Sequence, residues 1–162
     1  MPYPPLHMCV GLGAKAIKPS RFSFVMFGAT QIAIDLQPLL NRIFPGLMER
    51  HTPSHTLIGA TIIMFTCLAF RKPLGNLFNI MIEQRAAIYG AATGAYSHIL
   101  LDAIVHKDVN ASLFWPFNID SHLYGLIGDK SMILSCCVSG ILGVLWLGRQ
   151  GKFKGYIELF KR

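Results

Sequence analysis

Charged residues fall along this chain at intervals that leave four windows free of Asp, Glu, Lys and Arg: 22–34, 51–70, 86–101 and 131–148. About 17–25 residues of helix cross a bilayer. The second and fourth windows qualify as they stand, the first and third only if they run on through Asp35 and Asp102. Breakers between the windows predict the elements. A short helix over 5–17 stops at Lys18-Pro19-Ser20, and a long one follows over 21–40. After a polar turn through 41–50, Thr52 or Ser54 beside Pro53 predicts a helix start, because Pro suits the first turn and a hydroxyl can cap it. That helix reaches about Phe70, where Arg71, Lys72, Pro73 and Gly75 end it. A partly amphipathic linker leads to a helix over 86–106, a long interfacial loop covers 107–129, and a last span covers 132–148. The pattern therefore predicts an all-α protein: an integral membrane bundle of four long helices plus a short N-terminal helix.

Composition supports this reading. Of 162 residues, 52% are hydrophobic and 14% charged, against roughly 25% charged in a soluble domain. The length fits one domain over 1–162, with 148–162 a basic tail. The net charge of +7 does not point to nucleic acid, because the Lys and Arg lie between the apolar windows and form no aromatic-interleaved stripe. With that tail in the cytoplasm, alternating helices put eleven Lys and Arg inside and four outside, the bias expected of cytoplasmic loops. Cys9, Cys67, Cys136 and Cys137 sit in apolar segments without CxxC spacing and read as small buried side chains. No basic stretch or cleavage site marks a removed signal peptide.

The candidate chemistry lies in the third window. His98, Asp102 and His106 recur every fourth residue, within about 80° of one another on one helix face. Ionisable groups on an apolar helix persist when paired, hydrated or metal-bound, and so mark a functional site. The orientation brings others to the same depth: Asp35 in the outer half of its helix, His51 and His55 at the outer start of the next, and His7 if the short first helix also spans. Imidazole and carboxylate donors suit a divalent ion, zinc first, manganese or iron next. Seven candidate ligands result: His7, Asp35, His51, His55, His98, Asp102 and His106. They are enough for two ions sharing a carboxylate. No Glu lies nearby, so a general base must be an Asp not spent on the metal, and Asp35 and Asp102 are the catalytic candidates. Each group also has a plainer reading: Asp35 as a helix-helix hydrogen-bonding residue, and His98 with Asp102 as a pair bonded across one turn. Asp120 and His122 read as solvated, Trp115 and Tyr124 as interfacial anchors. Ser97 faces away from His98's partners and supports no Ser-His nucleophile.

The run Ser97-His98-Ile99-Leu100-Leu101-Asp102, followed by Leu113-Phe114-Trp115-Pro116-Phe117, resembles the membrane-associated metal-dependent hydrolases described as LexA-binding inner-membrane proteins. That family is distantly similar to zinc-dependent phospholipase C and P1 nuclease. Its early His, late acidic residue, Ser/Thr-His segment and SHxxxD element correspond to His7, Asp35, Ser54-His55-Thr56, and His98 with Asp102. The resemblance covers about residues 5–118. Many members carry a His-Arg pair five residues before the second His. Here His51 stands four before His55, and His106 extends the usual pattern.

The resemblance implies a bacterial inner-membrane hydrolase. Together with the depth of the cluster, it leads to one expectation: metal-activated water attacks a phosphoester or ester of a small molecule, lipid or envelope component, with membrane lipid as the surroundings and the site on the non-cytoplasmic side. A non-enzymatic membrane protein that binds or conducts metal ions or protons is the alternative, although the last helix, without an ionisable residue in its middle, argues against a continuous polar path. A soluble helical protein is the third reading.

Overall fold

The computed structural model of the chain describes residues 4–44, 53–117, 119 and 121–150. They form α1 (Pro4–Ile17), α2 (Phe24–Ile43), a 3-10 turn (Pro53–His55), α3 (Leu57–Ala69), α4 (Arg71–Leu77), α5 (Gln84–Val105), α6 (Lys107–Ser112) and α7 (Asp129–Arg149). No strand occurs among the described residues, and the all-α expectation holds.

The central column is α5, because its sequence leaves one face without bulk. Ala87, Ala91, Gly94 and Ala95 are buried there, and such small residues let helix backbones approach closely. At Gly94 a Cβ would stand 2.8 Å from the Phe27 carbonyl oxygen, so α2 lies directly against it. The same face continues one turn further into His98 and Asp102. Ser23 starts α2 by accepting the Met26 N–H at 3.3 Å, while its own N–H donates to Ala86 at 3.0 Å, which ties the start of α2 to the start of α5. Met26 and Ile34 from α2, and Ala60, Met64 and Cys67 from α3, fill the core against α5. On the other side α1 rests on α7, with Leu6, Cys9 and Val10 packed around Ile104, Met132 and Cys136. None of the four cysteines forms a disulfide among the described residues.

Of the four expected long spans, one is, among the described residues, long and apolar enough to cross a membrane, Asp129–Arg149. Only 28% of its apolar window is buried, and Leu134, Ile141, Leu142 and Leu145 are exposed, as a lipid-facing helix requires. The second window divides at Phe70, where Leu57–Ala69 and Arg71–Leu77 meet at 61°, so the two pass only if counted as one broken span. Pro73 falls in the first turn of α4, where its missing N–H costs nothing, and so it opens a helix in the stretch expected to be linker. In α5 the length of 22 residues suffices, but Gln84, Arg85, Ser97, His98 and Asp102 dilute its apolar character. Residues 24–40 form a shorter apolar helix interrupted by Gln31, Asp35 and Pro38.

Two further expectations change. The loop over 107–129 opens with α6 and then folds back onto Asn110, whose Oδ1 accepts the backbone N–H groups of Leu123 and Tyr124, each at 3.1 Å. The third helix begins at Leu57 and is capped by Thr56, whereas Ser54 lies in the preceding 3-10 turn. Thr52 and the tail beyond residue 150 lie outside the described residues.

Candidate metal centre

Four elements deliver five side chains to one point. His7 comes from α1, Asp35 from α2, His55 from the 3-10 turn, and His98 and Asp102 from successive turns of α5. The turn carrying His55 is shaped locally. Thr56 Oγ1 accepts the Gly59 N–H at 3.0 Å and donates to the Pro53 carbonyl at 2.8 Å. That carbonyl oxygen sits 1.6 Å from where a Cβ at Gly59 would be, so only glycine permits the turn. The Leu57 N–H reaches across to Leu113 at 2.8 Å and anchors the turn to the end of α6.

The ring nitrogens converge on the carboxylates. His98 Nε2 lies 3.3 Å from Asp35 Oδ1 and 3.4 Å from Asp102 Oδ2. His55 Nε2 lies 3.4 Å from Asp102 Oδ2 and 3.7 Å from Asp35 Oδ1. His7 Nε2 faces the other oxygen of Asp102, Oδ1, at 3.7 Å. The three imidazoles and Asp102 are buried, while the Asp35 side chain keeps 27% of its surface exposed and so forms the open side. Burial disfavours protonation of His55, but the Asp102 and Asp35 carboxylates beside it outweigh that and hold its pKa above the ordinary histidine value.

These donors fit a divalent ion. Ligands about 2.0–2.1 Å from a tetrahedral zinc stand roughly 3.3 Å apart, and the four separations between the His55 and His98 nitrogens and the Asp35 and Asp102 oxygens are near that, 3.3 to 3.7 Å. His98 Nε2 is fully buried and, although two carboxylate oxygens lie 3.3 and 3.4 Å away, its direction meets neither in a hydrogen bond. The opposite nitrogens are held from behind, as metal-binding histidines require. His55 Nδ1 pairs with Ser54 Oγ at 3.0 Å, and His98 Nδ1 with Gln31 Oε1.

His106 is not part of this group. Four-residue spacing places His106 with His98 and Asp102 only if the helix runs through it, but α5 ends at Val105, His106 has extended backbone, φ −110° and ψ 118°, and neither metal-capable group among the described residues includes it. His51 lies outside the described residues, as does Asp120, and His122 is exposed. Sequence reasoning passed over Gln31. The available signal was a buried-type amide four residues before Asp35, on the same face of an apolar helix.

A family model, the YdjM inner membrane protein, matches residues 7–159. The chain belongs to this family. The match runs through all five clustered residues and through α7, and it agrees with a membrane location. No curated protein and no solved structure matches the chain. The family description names a location and no chemistry, so kinship with hydrolases, with zinc-dependent phospholipase C or with P1 nuclease is not among these findings.

Proposed function

We propose that this inner-membrane protein is a metal-dependent hydrolase acting on a phosphoester or ester bond. The observation that carries the reading is the unbonded, buried Nε2 of His98 set between the carboxylates of Asp35 and Asp102, with His55 Nε2 closing the group. His55, His98 and Asp102 would hold one divalent ion, with His7 reaching the second oxygen of Asp102 and Asp35 left beside the ion on the open side. The donor set favours zinc and also suits manganese or iron. A bound ion of this kind supplies a water of lowered pKa and a Lewis acid for a carbonyl or phosphoryl oxygen.

The chain's own residues divide the remaining work. Asp102 is buried between three histidines and serves as an anchor. Asp35, on the open side, is placed to take the proton of an attacking water. On α2 the exposed residues one turn either side of Asp35, Ile32 and Leu39, together with Leu36, give that side an apolar rim. Such a rim favours an amphiphilic substrate, a lipid or envelope component, over a fully polar one. In this reading the site opens to the non-cytoplasmic face and the basic C-terminal tail lies in the cytoplasm.

A non-catalytic metal site is the second reading, favoured by the nearness of Asp35 to His98 and His55: with Asp35 as a further ligand the group closes, as in a structural centre. Activity separates the two. Detergent-purified protein loaded with zinc is assayed on a short-chain ester and a phosphodiester, before and after chelation, beside Asp35→Asn. Turnover that chelation abolishes and zinc restores, with a loss of at least 100-fold in Asp35→Asn, supports the hydrolase. Stoichiometric zinc without turnover on either substrate leaves the structural reading in its place.

A further inference from the structure

Gln31 is 4% exposed, lies in the middle of α2, and touches no carboxylate of the cluster, so ligand chemistry alone does not account for it. Its amide is held at both ends. Nε2 donates to the Gly94 carbonyl at 3.2 Å, which turns Oε1 toward His98 one helical turn further along α5. His98 Nδ1 lies against that oxygen. The Nδ1 atoms of His7 and His98 are themselves 3.3 Å apart with the rings edge-on, a contact in which one nitrogen donates and the other accepts, and the oxygen beside His98 Nδ1 places the proton on His98.

From this geometry we infer that Gln31 is a positioning residue that holds the proton of His98 on Nδ1, so that its Nε2 faces Asp35 and Asp102 as a lone pair. Without an acceptor behind it, the ring can place its proton on Nε2, and the ligand is lost without any change of fold. A carboxylate or amide behind a metal-bound histidine commonly sets tautomer and ring orientation, and its loss typically costs 10–100-fold in metal affinity. The inference rests on the metal reading above.

The test compares wild type, Gln31→Met and Gln31→Glu in detergent. Methionine keeps length and apolar packing but provides no comparable acceptor, whereas glutamate keeps an acceptor oxygen. Cobalt(II) affinity is measured by competition with a chelator, and imidazole N–H protons are read as hyperfine-shifted resonances in the cobalt-loaded protein, with ring-labelled histidine for assignment. Wild type is expected to show a His98 Nδ1–H resonance that persists in water. Gln31→Met is expected to lose it and bind cobalt about 10–100-fold more weakly, and Gln31→Glu to restore both. Equal loss in the two variants would show that the amide serves packing alone and overturns the inference, as does an unchanged affinity in Gln31→Met. If Gln31→Met does not fold, absence of the protected resonance in wild type overturns it instead. A wild type that takes up no cobalt fails the metal reading and this inference together; one that binds cobalt without dependence on Gln31 fails only the latter.

Discussion

His98 Nε2 and Asp102 Oδ2, one turn apart on α5, lie 3.4 Å from each other without a hydrogen bond. A simple side-chain pair one turn apart would turn N–H toward oxygen and bond. Here the nitrogen meets neither Asp102 nor Asp35 in a hydrogen bond, and the contact has the spacing of two ligands that share an ion.

The first prediction concerns stoichiometry. Purified protein should carry metal at one or more equivalents by elemental analysis, and the double variant His98→Ala, Asp102→Ala should carry none. Single removal of either residue should weaken binding by more than the 10–100-fold typical of an outer-shell loss. Metal retained by the double variant would move the site elsewhere.

His106 separates the structure from the spacing argument. Because α5 ends before it, His106→Ala should leave metal content and affinity unchanged within about threefold, whereas His55→Ala should abolish tight binding. A large loss in His106→Ala would mean that the helix continues through residue 106 in the loaded protein.

Much of the site was legible because it is local. His98 and Asp102 are four residues apart on one helix, and that relation survives any tertiary arrangement. Asp35 and His55 were reached only through depth, an argument from orientation that does not depend on which helices touch. Gln31 escaped attention because a neutral amide raises no electrostatic alarm in an apolar window. The bend at Phe70 escaped because Pro73 reads as a stop, yet in a first turn it serves equally as a start. His106 was misjudged from the same periodicity that found His98, since spacing alone does not reveal where a helix ends.

Metal binding should release protons. His55 holds its proton more tightly than an ordinary histidine in the metal-free protein, and that proton must leave before Nε2 can act as a ligand. The sign follows: affinity rises with pH while the imidazoles deprotonate, and falls in acid, by about tenfold per pH unit for each proton displaced. Calorimetric titration of zinc at neutral pH in buffers of different ionisation enthalpy should report release of about one proton or more. No buffer dependence would contradict the raised affinity of His55 for its proton.

Gly59 tests the turn that presents His55. A methyl there collides with the Pro53 carbonyl oxygen at 1.6 Å, a backbone atom with no rotamer in which to retreat. Gly59→Ala should lower stability by about 1–3 kcal/mol and weaken metal binding, read as thermal melting with and without zinc. Gly128→Ala, where a Cβ meets nothing within 4 Å, is the control without a clash: it should leave zinc binding unchanged and cost no more than about 1 kcal/mol of stability as a poorer N-cap of α7.

The most direct test of the central claim is zinc K-edge X-ray absorption on the loaded protein in detergent. The account predicts a shell of about four nitrogen and oxygen donors near 2.0–2.1 Å, with the outer-shell pattern of at least two imidazoles and no sulfur. A sulfur shell near 2.3 Å would assign the ion to the cysteines instead, and failure to bind zinc stoichiometrically would remove the metal centre altogether.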